Sequence, residues 1–495
     1  MKRILSAMLL AAVPITASAA GHPAPLAPLH TLASQGARVS ALVVRLGNDQ
    51  ALAALHPGLA LTPASVSKLY VTAAAFDEWG PAHRFETRLL ATGPVNGHTL
   101  HGDLVFAGAG DPAFTSPQLF ALVRRLAARG IQRVDGDLVV DASRFGKLSC
   151  TARDRCRARR ASHNAYNAPL SAAATDFATA QVGVTPAASA GAAAAVALQP
   201  YNVPSVRLVD HVRTVRSGAA WTVHVSRTTR GGDDIITATG AAPASASTHY
   251  FWRAVSAPAR MTGEELRALL AASGITVTGK LRVVHKGPIH GRELARLKGQ
   301  PLWIQARRML TWSNNFMADT LALDLLRTRQ APPLSVAAAG KALTRRARQL
   351  ESGAGNPPGW TPHVVLDSGS GLTTSSRASA RDLVALLSAM YRRPGLFPAF
   401  LGALTVPAHT PVDMLKAPSD ASWMQGIAAK TGSLNEPHSV FALAGYARLA
   451  DGHWGAFAVL VNGTRKHEVP LSVAIAATRA ALTPFLQSPH APARP

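Results

Sequence analysis

Acidic residues are scarce in this chain. Its 495 positions hold 27 Asp and Glu against 51 Lys and Arg, a formal net charge of +24. Cysteine is nearly absent, with Cys150 and Cys156 alone in "SCTARDRC", and aromatic residues make up 6%. Two cysteines at that spacing exclude a Cys-x-x-Cys zinc knuckle, which needs a second pair. Histidine does not fill the gap: no H-E-x-x-H occurs, and His290, His363 and His438 lie scattered, so no metal is expected. The run "AGAGDP" lacks the G-K-[ST] ending of a phosphate loop. With few aromatics and no zinc-finger or RNA-binding signature, the basic excess does not read as a nucleic-acid footprint. Beyond the N-terminus no stretch can span a bilayer; "TPAASAGAAAAVAL" is too short and begins beside Pro186.

The N-terminus, "MKRILSAMLLAAVPITASAAG", joins a short basic start to an apolar stretch and the small residues Ala17, Ser18 and Ala19. This pattern predicts a signal peptide over residues 1–19 and an exported, soluble mature chain. Pro14 and the shortness of the apolar part argue against an uncleaved anchor. In an oxidising compartment Cys150 and Cys156 are expected to close a short-loop disulfide. The basic excess has two readings. It supports weak electrostatic association with anionic envelope surfaces, or it reflects a compositional bias toward Arg, since only ten of the cations are lysines.

Along the chain, residues 64–79 read as a helix stopped by Gly80-Pro81. After Leu89, short strand-like runs ("LVFAG", "GDLVVD", "VRLVDHV", "WTVHVSR", "DIITATG") alternate with Gly, Asp and Pro. Helices are predicted at "SPQLFALVRRLAARG" and "TGEELRALLAASG", and an Ala/Pro/Ser-rich loop or linker near 178–200. From about 300 the pattern is helical again, then "SVFALAGYARLA" and "WGAFAVLVN" form two strands joined at Asp451-Gly452. The expected architecture is α/β (α+β). A discontinuous domain of residues 20–88 and 297–486 is interrupted by a β-rich insertion of residues 89–296, and residues 487–495 form a disordered tail.

Chemistry concentrates in three places. Ser65-Val-Ser-Lys68 sets a hydroxyl and an amine three positions apart, neighbours on one helical face, and Lys68 alone among the lysines has a serine there. A serine hydroxyl needs a base, and a lysine can serve once its pKa falls from about 10.4 to roughly 7–8. A helix N-terminus also offers the N–H of Ser65 to an oxyanion. The bland reading is a surface lysine at a helix end.

Lys430-Thr431-Gly432 precedes the final strand pair. Lys430 can supply positive charge, Thr431 can bond a carboxylate, and Gly432 lets a substrate approach so that the N–H of Ser433 becomes an oxyanion donor. An ordinary edge strand with a solvated lysine is the alternative. A third hydroxyl must return the proton to a leaving amine. Ser-x-Asn occurs at Ser162/Asn164, Ser313/Asn315 and Ser433/Asn435. We favour Ser313 and Asn315, at a break between helical segments, although Ser313 also reads as a helix N-cap with Asp319 in the first turns.

In order, and with "GSGL" between them, these elements resemble the penicillin-recognising serine enzymes, whose triplet is S-x-x-K, S-x-N and K-T-G. The match is closest to class C low-molecular-mass penicillin-binding proteins, the D-alanyl-D-alanine carboxypeptidase/endopeptidase family. It rests on "PASVSKL", "AGAGDPAFT", "GDLVVDASRF", "SNNFMADTL", "LDSGSGLT" and "AAKTGSL". The long gap from Ser65 to Ser313 matches this family, which carries its extra domains there.

The resemblance implies a β-lactamase/transpeptidase-like catalytic domain and no cofactor. Ser65 would be the acylated nucleophile, Lys68 its base and Ser313 the proton shuttle. Asn315 would contact the substrate amide, and Lys430, Thr431, Gly432 and Ser433 would line the carboxylate and oxyanion sites. It further implies peptidoglycan stem peptides as substrates, β-lactams as covalent inhibitors and a periplasmic location. A β-lactamase or esterase on the same scaffold, and a non-catalytic peptidoglycan-binding protein, are the alternatives. Asp141 either meets a diaminopimelate amino group or holds a strand-end turn. Thr373-Thr374 stands where the family often has Ser-Arg, which leaves the cleft rim open.

Overall fold

The computed structural model describes residues 26–148, 163–352 and 360–487. The predicted signal peptide, the cysteine pair and Ser162 lie outside them. Among the described residues no helix is long and apolar enough to cross a membrane.

The near-continuous apolar runs at both ends of the chain belong to one sheet. Its five strands are ordered Ile427–Leu434, Val440–Arg448, Trp454–Asn462, Arg38–Arg45 and Gln50–Leu55, all antiparallel. Alternation sends each strand's residues to two different cores. Leu42, Val44, Ala458 and Leu460 face a helical layer that includes Lys68–Trp79, Leu302–Trp312, Asn315–Arg327 and Ala380–Tyr391. Val39, Val43, Phe457 and Val459 face the helices Ala27–Ser34 and Leu471–Leu482. The three central strands are covered on both faces, where each fully buried Val, Leu or Phe contributes about 1.5–3 kcal/mol, which is why they show no polar alternation.

Between these two ends the chain builds smaller sheets. One has five strands in the order Leu281–Val284, Leu138–Asp141, Leu104–Ala107, Glu86–Ala91 and Arg292–Lys298, covered by the helices Ser116–Ala127 and Pro258–Ala272. Two three-stranded sheets share another core, Ala195–Gln199/Thr179–Thr185/His249–Ala254 and Val206–Val215/Asp233–Pro243/His224–Arg230. The segment near 178–200 is therefore not a linker. Thr179–Thr185 and Ala195–Gln199 pair antiparallel, with Val182, Val184 and Leu198 buried; alanine carries little strand signal, and the buried Val positions decide the outcome.

The helix expected over 64–79 divides into a tight turn, Ala64–Ser67, and an α-helix, Lys68–Trp79, ending at Gly80. Phe316, on the helix Asn315–Arg327, packs against Phe177 at 6.5 Å between ring centroids. The middle of the chain thus rests directly on the helix that begins at Asn315.

Candidate active site

Ala64 enters the Ser65 turn at φ 48°, a left-handed conformation that costs an L-residue about 1–2 kcal/mol. Two glycines hold it there. A Cβ on Gly371, itself at φ +72°, would lie 2.0 Å from the Ala64 carbonyl oxygen. A Cβ on Gly432 would lie 2.7 Å from the Pro63 carbonyl oxygen and 3.0 Å from the Ser65 nitrogen. Both backbones press on the turn in a way no larger residue allows. The turn tightens to i→i+3 bonding, which eclipses Ser65 and Lys68 instead of offsetting them as an α-helix would.

Lys68 is fully buried. Its Nζ donates to Ser65 Oγ at 3.0 Å, to Asn315 Oδ1 at 2.7 Å and to the Ser370 carbonyl at 2.7 Å. A neutral amine that donates to Asn315 and Ser370 keeps its lone pair for the Ser65 hydroxyl proton. An amine so held can exchange a proton with Ser65 Oγ along an existing hydrogen bond.

Asn315 reaches this amine because the helical pattern breaks at Ser313, which sits at φ 52° after the helix Leu302–Trp312. The N-cap of the next helix is Asn314, whose side chain accepts from the Met317 N–H at 3.0 Å. Ser313 is therefore not the N-cap of the bland reading; it is the C-cap of Leu302–Trp312, and its N–H donates to the Met309 carbonyl. Its half-buried hydroxyl makes no hydrogen bond among the described residues. Asn315 is fixed by a fork: Oδ1 takes Lys68, and Nδ2 donates to the Tyr166 carbonyl at 3.1 Å. One turn on, Asp319 Oδ1 accepts the Ser370 N–H at 2.8 Å, which orients the carbonyl that Lys68 uses.

The strand Ile427–Leu434 is at the sheet edge. Ala429 exchanges both backbone hydrogen bonds with Thr405 on the outer side. By strand alternation the N–H and C=O groups of Thr431 and Ser433 also point outward, along the part of the edge beside Ser65. Lys430 is buried, and its Nζ donates to the Thr431 carbonyl at 2.7 Å. Burial pushes this amine down to about 7. The positive charge expected of Lys430 is thus only partly present at neutral pH until an anion joins it.

Asp141 is held by backbone, accepting from Ser143 N–H and Ile289 N–H at 2.8 Å each, as a strand-end turn requires. At the rim near Thr373-Thr374 an arginine is present further along: Arg377 Nη1 donates to Thr62 Oγ1 at 3.1 Å and to the Ser376 carbonyl at 2.8 Å. The Cys150/Cys156 pairing and the Ser162 alternative fall outside the described residues.

Sequence reasoning missed the carbonyls of Ser370 and Tyr166, because any residue type can offer a carbonyl. Asp319 was readable only as a possible capping acid, and its partner lies in "GSGL".

Comparison with known proteins gives a consistent picture. The D-Ala-D-Ala carboxypeptidase 3 (S13) family profile matches residues 28–482. A D-alanyl-D-alanine carboxypeptidase of Actinomadura sp. (strain R39) is 28% identical over 458 residues, covering 90% of this chain and 80% of that protein. D-alanyl-D-alanine carboxypeptidase DacB of Haemophilus influenzae is 32% identical over 111 residues, 22% of this chain and 23% of that one. The crystal structure of penicillin binding protein 4 (dacB) from Haemophilus influenzae shares the fold at TM-score 0.74 and 21% identity, covering 92% of this chain and 99% of that one.

Proposed function

The chain belongs to the D-Ala-D-Ala carboxypeptidase 3 (S13) family of serine peptidases, and from that premise we propose that Ser65 is its acylated nucleophile. The substrates are peptidoglycan stem peptides ending in D-Ala-D-Ala. Ser65 Oγ attacks the penultimate carbonyl carbon while Lys68 Nζ takes the hydroxyl proton. The N–H groups of Ser65 and Ser433 receive the developing oxyanion. Collapse of the tetrahedral intermediate breaks the C–N bond, and the proton held by Lys68 passes through Ser313 to the departing amine of D-Ala. Water then attacks the ester as Lys68 takes a proton from it, and that proton passes to the departing Ser65 Oγ, which restores both groups.

Lys430 and Thr431 take the substrate's terminal carboxylate, and Asn315 contacts its amide. A buried amine whose one hydrogen bond goes to the Thr431 carbonyl is a group that gains from an incoming anion. The same site acts on D-Ala–diaminopimelate cross-links as an endopeptidase, and penicillin acylates Ser65 because its amide imitates the scissile bond. The basic, then apolar N-terminus supports the bacterial periplasm as the location of this activity.

The observation that carries the reading is the Lys68 amine, hydrogen-bonded at once to Ser65 and Asn315. Intact mass after penicillin treatment, followed by peptide mapping, tests it. A stable adduct on the Ser65 peptide is expected. An adduct elsewhere or none overturns the site, and rapid turnover of the antibiotic indicates a β-lactamase.

A further inference from the structure

Strand alternation gives the sheet Ala195–Gln199/Thr179–Thr185/His249–Ala254 two unlike faces. Val182, Val184 and Leu198 point into the core. The opposite face carries Tyr250 and Trp252 from one edge strand, Gly183 and Gln181 opposite them, and Ala197 and Gln199 beyond. A solvated sheet face ordinarily presents charged and small polar side chains. Here two large rings lie 45% and 49% exposed, their centroids 6.5 Å apart. Gly183 leaves room for the Tyr250 ring, since a Cβ there would meet that ring at 3.3 Å and the Gln199 amide at 3.2 Å; the Trp252 ring is tilted 48° to it.

The face is also uncharged. None of those six residues is ionisable at neutral pH, although the chain as a whole carries +24. An anionic lipid surface or nucleic acid is matched by cations, so this face complements a neutral partner. Its edge strand is tied to the candidate site through backbone. Asn164 bridges to Arg253 of the same edge strand, and two residues later Tyr166, 51% exposed, gives its carbonyl to Asn315. On the other side of that contact Trp312, 61% exposed, adjoins Ser313. A short backbone path thus links the edge strand that carries Tyr250 and Trp252 to Asn315.

We propose that this aromatic face binds the glycan strand of the polymer whose peptides enter the cleft, a choice of polymer that rests on the reading above. A pyranose ring presents an apolar C–H face and a polar edge. Tyr250 and Trp252 stack on the former, and Gln181 and Gln199 offer amide donors and acceptors to hydroxyl and N-acetyl groups. Anchoring the glycan beside the cleft raises the local concentration of its attached stem peptides.

The test uses the full chain and two probes, a hexamer of β-1,4-linked N-acetylglucosamine and peptidoglycan sacculi stripped of peptides. The wild type is expected to bind both. Tyr250→Ala/Trp252→Ala should bind about tenfold more weakly, while Tyr250→Phe/Trp252→Tyr, which keeps the rings, retains binding. D-Ala release from a soluble pentapeptide should be the same in wild type and the double alanine variant, and release from intact sacculi should fall in the latter. Equal binding by wild type and the double alanine variant overturns the proposal, as does binding to phosphatidylglycerol vesicles without binding to the hexamer. Failure of the peptidase reading registers separately, as absence of D-Ala release from the soluble pentapeptide by the wild type.

Discussion

Lys68 Nζ and Asn315 Oδ1 are 2.7 Å apart although 247 positions separate them along the chain. The contact joins the turn carrying Ser65 to the start of a helix on the far side of the middle sheets. Replacing Lys68 by Met should remove the proton acceptor for Ser65 and leave the Asn315 and Ser370 oxygens without this donor. Acylation by penicillin is expected to slow by about 10²–10⁴-fold. Stability should fall by about 1–3 kcal/mol from the unsatisfied acceptors, read as a shift in the urea midpoint.

Ser65→Ala should abolish the covalent penicillin adduct and lower D-Ala release by at least about 10³-fold, with the far-UV spectrum unchanged. Release equal to wild type would place the chemistry elsewhere.

Lys430 carries a pH signature. Its amine is pushed down to about 7 by burial, and only the protonated form attracts a carboxylate. For a carboxylate-terminated peptide, kcat/KM should therefore fall as pH rises through about 7 in the free enzyme. An uncharged ester lacking the carboxylate should show no such limb. Stability moves the opposite way. The unfolded lysine, near 10.5, binds more protons than the folded one between about pH 7 and 10.5, so stability rises with pH across that window. Lys430→Met should remove this slope, which denaturant titrations at pH 6, 8 and 10 would reveal.

Gly432→Ala would place a methyl 2.7 Å from the Pro63 carbonyl oxygen and 3.0 Å from the Ser65 nitrogen. The neighbours are backbone, so the strand or the nucleophile turn must shift. We expect a loss of about 1–3 kcal/mol and a larger loss in acylation rate than in peptide affinity, since the shift moves an oxyanion donor. An acylation rate equal to wild type would show that the strand does not press on the turn as described.

Asp319→Leu frees the Ser370 N–H and lets the loop carbonyl turn away from Lys68. As a positioning residue, Asp319 should move the acid limb of the pH–rate profile as well as its height. A purely structural role would lower the height alone.

The strands Val440–Arg448 and Trp454–Asn462 were legible as apolar runs joined at Asp451-Gly452, whereas Arg38–Arg45 and Gln50–Leu55 of the same sheet were not read. Ser65, Lys68 and Asn315, which the structure joins through the Lys68 amine, stand out in the sequence as residue types within two short motifs. The helix Val336–Ser352 was not read, because Gly340 and its many polar residues weaken the pattern. Yet Gly340 is what lets that helix approach the Asp367 backbone, where an added Cβ would come within 2.5 Å. The Ser370 carbonyl left no mark in the sequence, since its role depends on where the backbone turns.

The strand Arg38–Arg45 pairs along its whole length with Trp454–Asn462, so a strand near residue 40 must wait for one near residue 460. Long-range pairing of this kind is slow to form and leaves an unpaired edge open meanwhile. The Ser65 turn follows that waiting strand, and its oxyanion edge arrives only with Ile427–Leu434. A partly made chain therefore holds Ser65 and Lys68 without the strand that completes their surroundings, and the site closes only once residues 427–462 have joined the sheet.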